Sequence, residues 1–201
     1  MARHIRRRPI CHVVAGPNGS GKSTFALEYL PSYAGPIKYV NPDLLAQGLS
    51  PTDISLAAMK AGKLTLKRIA ALIEEGVSFG FETTLSGLGH LKLLAGAQER
   101  GYKIHLYYLW MPSVVMLPSR IRHRVLSGGH DVPTADVLRR YARSKANLKK
   151  YAALADQLFV FDASTLTQTL LYSRKGDAKL FSSEKIFSPA RARAMRKELG
   201  V

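Results

Sequence analysis

Apolar and polar positions alternate along the chain between short apolar runs and longer helical patterns. Ile10–Ala15 is a short apolar run ending at a glycine-rich turn, the pattern of a buried central strand. Lys22–Leu30 reads as a helix that stops at Pro31. Ile37–Val40 reads as a second short strand, followed by Asn-Pro-Asp at 41–43. Ser50-Pro-Thr-Asp53 then offers a capping hydroxyl, a proline at the first helical position and an acid three residues on. Ile54, Ala57, Ala58, Ala61, Leu64, Ile69, Leu72 and Ile73 follow on roughly one helical face, which ends at Gly76. The stretch VSFGFETTL (77–85) reads as a third strand, Leu91–Arg100 as a helix closed by Gly101, and KIHLYYLW (103–110) as a fourth strand. A basic helical region comes next, broken by SGGHDVP (127–133). QLFVFDAS (157–164) reads as a fifth strand. TLLYSRKGDAKLFS (169–182) reads as a hairpin around Lys-Gly-Asp, and Ser188–Leu199 as a last helix. Such alternation predicts an α/β fold with a central, mostly parallel five-stranded sheet covered on both faces. No linker or internal repeat interrupts it, so residues 1–201 read as a single domain.

Composition sharpens the picture. At 201 residues and 46% hydrophobic, the chain can bury a substantial core and does not read as disordered. No apolar run reaches the length of a membrane span. The apolar stretch after the basic N-terminus runs straight into the glycine turn with no small-residue cleavage site, so it reads as a strand rather than a signal peptide. A cytoplasmic protein without a membrane partner is expected. Cys11 is the one cysteine, which excludes an internal disulfide, and its apolar surroundings make it a core residue. Net charge is +16, from 30 Lys and Arg against 14 Asp and Glu, an excess that attracts polyanions. Residues 120–150 carry nine Lys and Arg against two acids. The tails, 1–8 and 188–201, are also basic and read as solvated charge.

The densest chemistry is at residues 16–24. Gly16-Pro17-Asn18-Gly19-Ser20-Gly21-Lys22-Ser23, followed by Thr24, is a complete phosphate loop between a strand and a helix. Its glycines let backbone N–H groups converge on phosphate oxygens, and the helix N-terminus adds positive potential. Lys22 is placed to neutralise the β- and γ-phosphates, and Ser23 to ligate Mg²⁺. The expected ligands are therefore ATP or GTP with Mg²⁺.

LSGGH at 126–130 differs by one letter from the LSGGQ signature of ABC transporter ATPases. That reading fails on context. Pro133 stands where the signature helix should continue, and the next apolar strand ends at Asp162 with no glutamate after it. A kinase accounts for more of the chain. Asp43 follows the second strand at the sheet's C-terminal edge, where a carboxylate can orient a hydroxyl and accept its proton. Glu82-Thr83-Thr84 ends the third strand. A glutamate in an apolar strand needs a partner, which substrate hydroxyls, a lysine or water-bound Mg²⁺ would each supply. Arg120 and Arg124 share one helical face, and Arg140, Arg143 and Asn147 share another. Guanidiniums on both sides of the Gly128-Gly129 pair form an expected lid at about 118–150. His130 could touch phosphate or cap the next turn.

AGPNGSGKST, NPD, FETTLSG, RIRHRVLSGGHDVP and LRRYARSKANL occur in this order, and together they resemble the zeta-toxin-like branch of P-loop kinases over roughly residues 9–163. The resemblance implies an adenylate-kinase-like three-layer sandwich and an ATP- or GTP-dependent phosphotransferase. In zeta toxins the acceptor is the 3′-hydroxyl of UDP-N-acetylglucosamine. Carried over, Lys22 grips the phosphates, Asp43 is the base and Glu82, with Thr83 and Thr84, holds the substrate. Arg120, Arg124 or Arg140 serves as a lid arginine. An acidic antitoxin protein is the partner implied. The alternative, suggested by charge, is an ATP-switched nucleic-acid-binding protein or a polynucleotide kinase. Against it, no RNP-like pattern of stacking aromatics is present.

Overall fold

The computed structural model describes residues 8–47, 49, 54–126, 131–165, 167–182 and 189–200. Strands β1 (Ile10–Ala15), β2 (Lys38–Val40), β3 (Phe79–Thr83), β4 (Lys103–Trp110) and β5 (Gln157–Asp162) form a parallel array in the spatial order β2-β3-β1-β4-β5. β6 (Thr169–Lys175) and β7 (Ala178–Ser182) are the expected hairpin. It does not stand apart from the sheet. β6 pairs antiparallel with β5, and β7 with β6, so the sheet runs to seven strands.

Helices α1 (Lys22–Glu28), α2 (Leu30–Ala34), α3 (Pro42–Gln47), α4 (Ile54–Glu75), α5 (Gly89–Glu99), α6 (Leu117–Leu126), α7 (Thr134–Leu154) and α8 (Pro189–Leu199) cover the sheet. Two apolar clusters fill its faces. Cys11, Val13, Phe79, Phe81, Ile104, Leu106 and Trp110 pack on one side with Ile69, Leu72, Leu94 and Leu148. On the other, Val14, Tyr107 and Leu109 pack with Phe25, Leu117, Ile121 and Val137. Cys11 is fully buried as expected, and burial pushes its thiol pKa well up.

Several boundaries differ from the sequence expectation. The first helix does not end at Pro31. Gly35 ends a second short helix in which Pro31 occupies the first turn, where a missing N–H costs nothing. Asn-Pro-Asp at 41–43 opens α3, because Asn41 Oδ1 accepts the backbone N–H groups of Asp43 at 2.8 Å and Leu44 at 3.2 Å. In α4, Leu64 is exposed and Thr65 takes the inward position, its hydroxyl closing on Ala61 O at 2.8 Å. The expected cap at Ser50–Asp53, the side chains of Ile54, Ala57 and Ala58, and the Gly128-Gly129-His130 hinge lie outside the described residues. The basic C-terminal tail is half packed rather than solvated. Met195 and Leu199 are buried, and Glu198 accepts from Trp110 Nε1 at 3.0 Å and pairs with Lys145 at 2.6 Å.

Candidate active site

The parallel array places the C-terminal ends of β1, β2 and β3 side by side, and the phosphate loop grows from the central one. Gly16 continues β1 with its N–H donated to Thr83 O at 3.2 Å. A Cβ there would lie 2.8 Å from the backbone oxygen of Leu109, so only glycine fits so close to β4. Gly19 has φ +78°, and a Cβ would press at 3.3 Å on Ile121 of α6. Asn18 and Ser20 are buried, and Asn18 Oδ1 and Ser20 Oγ have no hydrogen-bond partner. Lys22 donates to Pro17 O at 3.1 Å, folding back over the loop.

A cleft of about 150 Å³ opens beside this loop, lined by Asn18, Lys22, Asp43, Glu82 and Arg140, with Thr65, Thr83, Thr84 and His90 completing the wall. Glu82 is 3% exposed and accepts from Ser23 Oγ at 3.0 and 3.2 Å through its two oxygens. Asn41 Nδ2 approaches the same hydroxyl at 3.4 Å. Asp43 sits in the first turn of α3, its carboxylate 3.6 Å from Arg124. Burial lowers the Lys22 ammonium pKa, against the pull of Glu82 and Asp43, and Arg124 and Arg140 push the same way as burial. Burial raises the Glu82 carboxyl pKa, and Asp43 adds to it, while Lys22 and the Ser23 hydrogen bond oppose. The site is thus a buried acid beside a half-buried lysine, with Arg140 in the cleft wall and Arg124 against Asp43.

The arginines divide their roles. Arg140 lines the cleft and is held at 3.7 Å by Asp136. Arg124 faces Asp43. Arg120 turns to the far side of the phosphate loop, donating to Ala163 O at 2.6 Å and Thr165 O at 3.3 Å, and so pins the loop after β5. The predicted common face of Arg140, Arg143 and Asn147 is split by function: Arg143 is exposed, while Asn147 donates to Leu85 O at 2.8 Å. Leu85 follows β3 with φ +56°, an uncommon conformation for a leucine, and its N–H is held by Thr83 Oγ1 at 3.1 Å. Tyr151 Oη donates to Gly87 O at 2.7 Å in the same loop. His90 escapes sequence reasoning, because nothing in its neighbours' spacing marks a ring that lines a cleft.

Ser23 Oγ and the Glu82 carboxylate form an oxygen set suited to Mg²⁺. No cluster of three or more His, Cys, Asp or Glu occurs among the described residues, so the ion fits only as one that draws its other ligands from phosphates and water. No helix among the described residues is long and apolar enough to cross a membrane.

Comparison with known proteins bears on the family and the fold. The chain is 34% identical over 126 residues to an uncharacterized protein of Haemophilus influenzae, covering 63% of this chain and 88% of that one. Its fold matches that of the PezAT chromosomal toxin-antitoxin system of Streptococcus pneumoniae, with a TM-score of 0.63, 17% identity, and coverage of 96% of this chain and 84% of that chain. It also matches the AvrRxo1-ORF1:-ORF2 complex with ATP, with a TM-score of 0.70, 14% identity, and coverage of 97% and 76%. The zeta toxin family profile matches residues 2–186. Matched over nearly its whole length, the chain belongs to the zeta toxin family of P-loop phosphotransferases.

Proposed function

We propose that this protein is a small-molecule kinase that transfers the γ-phosphoryl group of ATP or GTP to a hydroxyl, with a sugar nucleotide such as UDP-N-acetylglucosamine as acceptor. The observation that carries the proposal is the meeting of Lys22, Asp43, Glu82 and Arg140 in one cleft beside the phosphate loop. Backbone N–H groups of Asn18, Gly19 and residues 21–24, the last at the α1 N-terminus, hold the triphosphate. Lys22 leaves Pro17 O for the β- and γ-oxygens. Arg140 and Arg124 balance charge on the group in transit. Asp43 orients the attacking hydroxyl and accepts its proton as the new P–O bond forms and the bond to the β-phosphate oxygen breaks. Bound Mg²⁺ would neutralise the β- and γ-oxygens. Ser23 would hold it directly, and Glu82 through water.

The test is incubation with labelled ATP and a panel of sugar nucleotides, aminoglycosides and RNA 5′-ends. Label should pass to a sugar nucleotide, and Lys22→Ala should abolish transfer while remaining folded. Equal transfer by a folded Lys22→Ala protein would exclude the reading. An acidic antitoxin is the partner proposed, since a +16 chain favours an acidic protein surface. The same charge is the one observation favouring a polynucleotide acceptor, and label on RNA ends alone would select that reading.

A further inference from the structure

The cleft wall contains a buried polar atom that the protein itself leaves unused. His90 lies in the first turn of α5, its ring stacked on Phe81 with centroids 5.1 Å apart and planes 23° apart. Its Nδ1 is 3.5 Å from Thr83 Oγ1, and its Nε2 is buried without a hydrogen-bond partner. Thr83 Oγ1 accepts the Leu85 N–H at 3.1 Å and keeps both its own proton and a second lone pair for His90 Nδ1. When the hydroxyl proton goes to Nδ1, Nε2 carries the ring proton. Burial lowers the imidazole pKa to about 4, so the ring is neutral at ordinary pH.

An orphaned buried N–H costs about 1–3 kcal/mol, and native structures retain few of them without a use. This ring lines the cleft that holds Asp43, Glu82, Thr84 and Arg140. For Nε2 to meet a ligand the ring must tilt on Phe81, and the Thr83 contact at 3.5 Å is a weak restraint against that. We propose that His90 is an acceptor-binding residue whose Nε2–H donates to an oxygen of a polyhydroxylated sugar held in the cleft. The inference rests on the kinase reading above and deepens it. Asp43 and Glu82 can only accept from a bound hydroxyl when ionised, whereas Arg140, and His90 Nε2 when it carries the ring proton, can only donate. A ligand whose oxygens both donate and accept suits this mixed lining, and a sugar is such a ligand. The neutral ring adds orientation without adding to the positive charge around the phosphates.

Calorimetry with UDP-N-acetylglucosamine, free N-acetylglucosamine and a 5′-hydroxyl RNA oligonucleotide, each in the presence of Mg²⁺ and a non-hydrolysable ATP analogue, tests the assignment. His90→Phe keeps the stack on Phe81 and removes the donor, and His90→Gln restores a donor. The sugar probes should bind the wild type, weaken roughly tenfold in His90→Phe, and recover in part in His90→Gln. Affinity for the ATP analogue should not change, and the melting temperature of the ligand-free His90→Phe protein should not fall. Equal sugar affinity in wild type and folded His90→Phe overturns the assignment, as does binding of RNA alone or of no sugar probe. Should His90→Phe fail to fold, the ¹⁵N shift of Nε2 in the wild type decides: it should move on adding UDP-N-acetylglucosamine, and a fixed shift overturns the role. Sugar binding that depends on His90, in a protein that neither binds nor turns over nucleotide, would keep this inference and remove the kinase reading.

Discussion

Asp43 and Glu82 are two carboxylates in one cleft with different surroundings, and they should respond differently to neutralisation. Asp43 is half-exposed and bonded only loosely to Arg124. Asp43→Asn should therefore lower kcat strongly and leave ATP affinity nearly unchanged, as initial-rate kinetics would read. Loss of ATP affinity with kcat intact would instead give Asp43 a role in ordering Mg²⁺. Glu82 has its carboxyl pKa raised by burial above the ordinary 4.5. A carboxyl raised in the folded state binds more protons there than in the unfolded chain. Its contribution is most favourable below the unfolded pKa and worsens as pH climbs through the raised one. Without nucleotide, Glu82→Gln should gain melting temperature relative to wild type as pH rises from 4.5 to 8, and a constant difference would contradict this. Both residues were visible in the sequence, because an acid at the end of an apolar strand is conspicuous. His90 was not, since only the fold brings the wall around it together.

The elements carry a second lesson. β1 and β4 occupy the residues their apolar patterns mark, because strands buried on both faces have sharp ends. The helix at Asn41 was missed although its cap signal, Asn then Pro then Asp, is written in full. α3 spans only Pro42–Gln47, with no long periodicity to announce it. The division of labour between the arginines of α6 was also beyond the sequence. A shared helical face puts Arg120 and Arg124 together, yet one meets the loop after β5 and the other meets α3. Arg120 should thus act as a strut. Arg120→Ala gives up charge-assisted bonds to two carbonyls and should cost about 1.5–3 kcal/mol in urea unfolding. It should also weaken Mg·ATP binding, since the loop it pins runs to Gln168, beside Gly21 of the phosphate loop. Unchanged stability would show that water replaces the strut at no cost.

At the scale of the whole molecule, the charge excess is the feature easiest to read and hardest to assign. Part of it is spent internally, as in Lys145 with Glu198 and Lys103 with Asp156 at 2.5 Å. Arg143, Lys149 and Lys150 are left on the exposed side of α7. If they serve a polyanion, nucleic-acid affinity should fall steeply between 50 and 200 mM salt. The proposed sugar-nucleotide phosphorylation should change far less over the same range, because it does not track a long run of phosphates. A parallel collapse of both activities would mean that one surface serves both. The long helix α7 has one more consequence. Its N-terminal half brings Arg140 to the cleft, and two and three turns on it grips the loop after β3 through Asn147 and Tyr151. A rod fastened at both places cannot tilt toward a phosphate without dragging Leu85 and Gly87. Donor and acceptor should therefore bind synergistically, each tightening the other by the same factor, as thermodynamic reciprocity demands. Cutting the rear fastening with Asn147→Ala should bring that factor toward one while leaving each ligand able to bind alone.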